Sequence, residues 1–275
     1  MVNIQSSDWY SLLVQLQKKV GTSAFLPALS DTLRQVVKFD CSGVMFYNGS
    51  EVQNIYEGDF SPNFKKYIDL YLKGLYLLDP HYDLLAKGAK TGLYRFQDIA
   101  PDCYHDSEYY NEFIKHVGIT DEYDFIIKVG NDYVDFYLDN LGNKFSEEDD
   151  KILAMISPMV LHLLEKHWEK YSKGSDLKKK DGTKKPYQNI FDSFGKSILT
   201  EREQQVVQYI LNGHSSKSLA LKLNISLSTV KIHRKHIYQK FDITTQSELF
   251  SLCIQSLSLD GLDESEDPFA ILTRA

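Results

Sequence analysis

The sequence predicts two domains of different class: an α+β domain with an antiparallel sheet flanked by helices over residues 1–171, and an all-α domain of four short helices over residues 197–258. Three observations predict this. In the first 140 residues, two pairs of apolar segments flank tight-turn residues, the pattern of β-hairpins. From residue 199 to 257 the apolar residues recur at helical spacing and are punctuated by capping residues. Between the two regions, "SKGSDLKKKDGTKKPYQN" (residues 172–189) carries six lysines with Gly, Ser and Pro and no apolar period. That is the composition of a flexible linker, which we bound at 172–196. Residues 259–275 then read as an acidic tail.

In the first domain, "GVMFY" (43–47) and "VQNIY" (52–56) flank Asn48-Gly49, and "YDFIIKV" and "YVDFYL" flank Gly130-Asn131-Asp132. Helical stretches fall at 7–20, 24–37, 62–74, 107–117 and 146–170. Hairpins with interspersed helices argue for an α+β fold. In the last helix Ile152, Met155, Ile156, Met159 and Leu163 recur at helical spacing and serve either as a dimer seam or as packing on the domain's own sheet. Residues 1–172 hold 25 Tyr and Phe, enough to line a small-molecule cavity or to fill a core.

In the second domain, Thr200 and Glu203 have capping-box spacing, so a helix starts at Thr200. Val206, Val207, Ile210 and Leu211 form its apolar stripe, and Gly213 sits where a left-handed terminator is wanted. A second helix runs from Ser216 to Leu223, capped by Ser215 and ended by Asn224. Ser226 caps a third that reaches Phe241, and Thr245 with Glu248 opens a fourth carrying Leu249, Leu252, Cys253 and Leu257. The three-residue turn between the middle pair makes a helix-turn-helix, whose second helix enters a groove.

On that helix, at about 100° per residue, Val230, Ile237 and Phe241 share one side, while Lys231, Lys235, Ser228, Gln239 and Ile232 share the other. A β-branched apolar residue beside two exposed lysines suits thymine methyls better than water. His233 and His236 lack further ligands nearby, so no metal is expected there, and His162 and His167 point to different helix faces. "CYHDSE" (103–108) reads as a polar turn rather than a metal or catalytic cluster.

The charge pattern agrees. The net charge is −7, but residues 1–172 carry −10, residues 173–258 carry +7 and residues 259–275 carry −4. A basic block on a definable fold is an electrostatic footprint for nucleic acid. The longest apolar stretch, Ile152 to Leu164, is broken by Ser157, Pro158 and His162 and is too short to span a bilayer. "MVNIQSSDWY" has no signal-peptide pattern, so a cytoplasmic location without membrane contact is expected. Cys41, Cys103 and Cys253 lack metal or disulfide spacing and read as free thiols. No GxGxxG, Walker, GxSxG or HExxH pattern occurs, which argues against an enzyme, and no cofactor is expected.

The segment Leu199 to Leu257, with "LTERE", "GHSSKSLALKLNIS", "STVKIHRKHIYQKF" and "ITTQSEL", closely resembles the LuxR-type helix-turn-helix domain of bacterial transcription factors. The resemblance implies binding to double-stranded DNA, usually as a homodimer on inverted half-sites. It places Lys231, Ile232 and Lys235 where bases are met in the major groove, and Ser228, Thr229, Lys217 and Lys240 where phosphate contacts are common. Ser218, His236 and Gln246 depart from the residues frequent there, namely Glu, Asn and Arg.

The first domain resembles the GAF-like or PAS-like sensor domains attached to such regulators, through "LDPHYDLLAKGAKTGLYRFQDIAP", "SEYYNEFIKHVGITDEYDFII" and "FSEEDDKILAMISPMVLHLL". A phosphoacceptor architecture is not apparent. "YIDLYLKGLYLLDP" also resembles the autoinducer-binding domains of quorum regulators. By that likeness Tyr67, Tyr71 and Asp79 lie where an acyl-homoserine lactone is held, and Tyr82 is a fourth ligand-binding candidate. The tryptophans expected nearby are missing, since Trp9 and Trp168 are the only two. Without the resemblance, Asp79 before Pro80 reads as a helix cap and the tyrosines as half-buried packing. The expected function is therefore a DNA-binding regulator whose first domain either senses a signal such as a small-molecule effector or mediates dimerisation. The rivals are an acyl-homoserine-lactone receptor and a module whose helix-turn-helix contacts RNA polymerase.

Overall fold

The computed structural model describes residues 2–48, 51–58, 62–72, 75–102, 104–107, 109–172, 193–211, 214–257 and 266–273. Gly49, Cys103, Glu108, Gly213, most of the expected linker and part of the expected tail lie outside the described residues. The chain falls into two compact units: residues 1–62, 87–98 and 118–183, and residues 63–86, 99–117 and 184–275.

The first unit holds a five-stranded antiparallel sheet, order β2-β1-β5-β4-β3, made of β1 (Cys41–Asn48), β2 (Glu51–Glu57), β3 (Gly92–Arg95), β4 (Ile119–Val129) and β5 (Asp132–Leu141). Both expected hairpins form: β1 pairs with β2 from Asn48↔Glu51, and β4 with β5 from Val129↔Asp132 across Gly130 at φ +67°. Two features were not legible. The edge strand β3 is four residues long, too short to show alternation, and β5 reaches across sequence to pair with β1 through Val44↔Phe136.

Helices α1 (Ser7–Lys19), α2 (Phe25–Arg34) and α7 (Glu147–Tyr171) belong to this unit, and one core joins them to the sheet. Phe25, Leu29 and Leu33 of α2 and Leu153, Val160 and Leu164 of α7 share it with Val44, Phe125, Phe136 and Leu138. The other side of the sheet carries buried Asp124, Asp135, Asp139 and Tyr137. Burial, with Asp139 adding to it, lifts the Tyr137 phenol well above its ordinary pKa. A Cβ at Gly43 would collide with the Tyr137 phenol, so a larger residue there needs that ring to move.

α7 starts at a capping box between Ser146 and Asp149. Pro158 lies within it, and the Ala154 carbonyl, deprived of its usual N–H donor, accepts from Ser157 Oγ at 3.0 Å. Its N-terminal turn is pinned to the sheet by Arg95, which donates to Asp121 (2.6 Å) and Asp150 (2.7 Å). The Tyr123 hydroxyl donates to Asp150 at 3.0 Å, and burial together with that bond pushes its pKa up to about 12. At the other end His167 lies between Phe25 (4.4 Å) and Tyr171 (5.1 Å), and its Nδ1 accepts from the Gly21 N–H. Of the expected seam, Ile156 and Leu163 are buried in the core, whereas Met155 is 62% exposed. The core-facing side therefore uses part of the repeat, and the outward side keeps Met155.

In the second unit α3 (Pro62–Leu72), a 3₁₀ turn (Leu75–Leu78), α4 (Pro80–Ala86) and α6 (Lys115–Val117) precede the helices of the C-terminal region. Those are α8 (Glu201–Leu211), α9 (Ser216–Leu223), α10 (Leu227–Phe241), α11 (Gln246–Leu257) and α12 (Pro268–Leu272). A single turn, α5 (Phe96–Ile99), follows β3. α12 lies within residues 259–275, the stretch read as an acidic tail, and its Pro268 and Phe269 are buried. Its brevity hid it: five residues give no helical period to read. Among the described residues no helix is long and apolar enough to cross a membrane.

Candidate nucleic-acid interface

Local sequence sets the frame of the C-terminal helices. Thr200 Oγ1 accepts from the Glu203 N–H (3.3 Å) while Glu203 Oε2 accepts from the Thr200 N–H (2.8 Å), a reciprocal cap that starts α8. Ser215 accepts from the Ser218 N–H and starts α9; Asn224, left-handed at φ 50°, ends it. Ser226 accepts from the Thr229 N–H and starts α10, and Thr245 with Glu248 repeats the box before α11. The turn Asn224-Ile225-Ser226 thus joins two capped helices. Arg202 of α8 donates to the Leu223 carbonyl at 2.6 Å and fixes the end of α9.

α10 presents two unlike sides. Val230, Ile237 and Phe241 are 0%, 0% and 4% exposed, whereas Ile232 is 54% exposed beside exposed Lys231 and Lys235. An apolar residue is thus left half in water between two cations. Ser228 and Lys217 are exposed as well. Thr229 is half-buried, its hydroxyl bonded to Ser226 Oγ at 2.7 Å.

Arg234, on the edge of the packed side, is a brace: it donates to Ser216 Oγ (3.2 Å), the Tyr238 hydroxyl (3.0 Å) and Gln246 Oε1 (3.0 Å). Gln246, one of the departures from the frequent residues, therefore ties α11 to α10. Ser218, another, shares a hydrogen bond with His214 Nδ1 at 3.3 Å, and His236 is exposed.

Lys240 is paired within its domain, although the residue itself is exposed. Its ammonium donates to Glu203 Oε2 at 2.7 Å, with the Glu203 side chain 6% and the Lys240 side chain 35% exposed. Burial opposes the Glu203 charge, but Lys240 and the two Thr200 bonds outweigh it and hold the carboxyl below its ordinary pKa. Sequence reasoning saw Glu203 only as a cap; the partner 37 residues away gave no local signal.

The ligand candidates hold one another. The Tyr71 hydroxyl donates to Asp79 Oδ2 at 2.8 Å, and the His81 N–H donates to Asp79 Oδ1 at 2.8 Å, so Asp79 caps α4. His81 Nδ1 lies 3.2 Å from the same oxygen. Burial raises the Asp79 pKa, yet His81 and these bonds bring it below its ordinary value. Tyr82, half-buried, meets Tyr76 edge-on at 5.0 Å, and Tyr67 is half-buried. His81 was missed, although its place two residues after the cap was readable. In the first unit a groove of about 720 Å³ is lined by Arg34, Lys38, Phe39, Asn140, Lys144 and Ile152 among others, and by none of these candidates.

Residues 197–253 match the family model described as bacterial regulatory proteins, luxR family. The chain is a DNA-binding transcriptional regulator with a LuxR-type helix-turn-helix. It is 26% identical over 197 residues to an HTH-type transcriptional regulator in the exeN 3' region of Aeromonas salmonicida, an alignment covering 69% of this chain and 100% of that protein. It is 43% identical over 51 residues to the response regulator protein TodT of Pseudomonas putida, covering 18% of this chain and 22% of that one. The chain thus spans about a fifth of the second relative. Among solved structures it is similar to the VqsR LBD domain from Pseudomonas aeruginosa, with a TM-score of 0.54 and 23% identity over 60% of this chain and 99% of that chain. That likeness concerns the fold alone.

Proposed function

We propose that α10 enters the major groove of double-stranded DNA with Lys231, Ile232 and Lys235 facing base edges, while Ser228 and Lys217 approach phosphates. The exposed side of α10 carries this reading. Two lysines flank an apolar residue that the fold leaves uncovered, on a helix whose other side is fully packed. Base-edge contacts give sequence choice, and phosphate contacts give affinity that falls steeply with salt. In an electrophoretic shift assay on a selected operator, Lys231→Ala and Lys235→Ala each weaken binding by about 1–3 kcal/mol and relax selectivity at particular base pairs. Equal binding by parent and variants overturns the assignment.

Residues 1–171 act in this proposal as a GAF/PAS-like domain that receives a small-molecule effector or joins two copies, with Met155 on the outward side of α7 at the contact between copies. Two half-sites engaged by a homodimer raise affinity through effective concentration. A light-scattering mass of one chain, free and on DNA, removes the dimer. An acyl-homoserine lactone acting near Tyr67, Tyr71, Asp79 and Tyr82 raises the melting temperature; an unchanged melting temperature at saturating lactone removes that effector.

Contact of the helix-turn-helix with RNA polymerase is favoured by one observation: Leu221 on α9 is 76% exposed. Leu221→Asp then leaves operator binding intact and lowers transcription in a reconstituted reaction.

A further inference from the structure

α12 is too short to stand alone, since a single turn pays nucleation without propagation. Its order comes from what it sits on. Asp267, which caps it through the Phe269 N–H (3.0 Å), also accepts from the Gly195 N–H (2.8 Å), the Ser197 N–H (2.8 Å) and the Ser197 hydroxyl. The donors form a small nest of backbone N–H groups, a concavity suited to an anion. The left-handed Gly195, φ +73°, shapes it, and a Cβ there would stand 2.7 Å from the Phe241 ring.

Beside the nest is an aromatic seat. Phe269 meets Phe241 edge-on at 4.6 Å and Phe194 at 6.1 Å, and Phe194 stacks on Phe241 at 5.3 Å. All three rings are buried, at 8%, 4% and 2% exposed. A carboxylate in a nest with an aromatic ring anchored two residues later is how a short peptide is held: polar groups set register and the ring supplies burial. Both halves of this contact extend beyond the family match at 197–253, since Phe194 and Gly195 precede it and Asp267 and Phe269 follow it.

We propose that Phe194, Gly195, Ser197 and Phe241 form a peptide-binding site for an Asp-Pro-Phe segment, and that this chain's own residues 266–273 occupy it as a detachable latch. Closed, the latch clamps the point where the chain enters the DNA-binding domain against the last residue of α10. Open, it frees the Gly195 and Ser197 amides, while Phe194 keeps its own stack on Phe241. The tether makes closure intramolecular, so the site favours its own tail over a free peptide of the same sequence.

The test uses the full chain carrying Asp267→Ala and Phe269→Ala together, with amide hydrogen exchange as the readout. Exchange at Gly195 and Ser197 rises at least about tenfold while α8 amides keep their protection, because only a docked segment is lost. A synthetic EDPFAIL peptide at about 1 mM, the tethered concentration scale, then restores the two amides, and a peptide with Asp and Phe replaced by Ala does not. Unchanged exchange at Gly195 and Ser197 overturns the proposal. So does loss of protection throughout the domain, which makes α12 part of an indivisible core, and so does failure of the peptide to restore them. None of these outcomes depends on DNA binding.

Discussion

Replacing Lys240 with Met tests whether that side chain serves the fold or a phosphate. Its ammonium is 2.7 Å from a Glu203 oxygen whose side chain is 6% exposed. Lys240→Met leaves that carboxylate buried, with only the Thr200 N–H and hydroxyl for company. Breaking a fully buried pair from one side costs about 3–5 kcal/mol. Because the Lys240 end is about a third exposed and shares its field with water, the expected loss is smaller, about 2 kcal/mol. Hydrogen exchange of the slowest α8 and α10 amides reports it without interference from the other unit. The pH dependence carries a sign. Glu203 has its folded pKa below the ordinary 4.5, so its stabilisation is present above that value and is lost as pH falls through the folded pKa. The gap between parent and variant therefore narrows on acidification. A phosphate role predicts the reverse set of results: unchanged stability, and a salt dependence of operator binding shallower by about one ion. That outcome refutes the reasoning.

Further expectations concern the first domain and the candidate ligand residues. Arg95→Met leaves Asp121, 6% exposed, without its cation and costs about 3 kcal/mol; thermal unfolding followed by fluorescence of Trp9 and Trp168, both buried in that unit, measures it. Burial lowers the His167 pKa from 6.5 to about 4, so the unfolded chain takes up the proton first and stability declines as pH drops from about 6.5 towards 4. The decline is at most about 3 kcal/mol and is absent in His167→Phe, as the same fluorescence shows. Asp79→Ala removes the α4 cap and the partner of Tyr71, costing about 1–2 kcal/mol of local stability, read as faster exchange at the His81 amide.

Much of this protein was written in its local sequence, because caps, turns and helix sides depend on residues three or four apart. Ser146, Thr200, Ser215, Ser226 and Thr245 each sit where a helix begins, and the period of Val230, Ile237 and Phe241 left Lys231, Ile232 and Lys235 outward. What the tertiary structure alone decided are pairings across long stretches of chain. β5 stands between β1 and β4, Arg95 reaches Asp150, Lys240 turns to Glu203 and Asp267 returns to Gly195 and Ser197. A lysine near a helix end and an aspartate in an acidic tail look solvated when judged by their neighbours in sequence. Only closure of the fold brings each opposite a buried partner, and the chain between the two ends of such a contact carries no periodic trace of it.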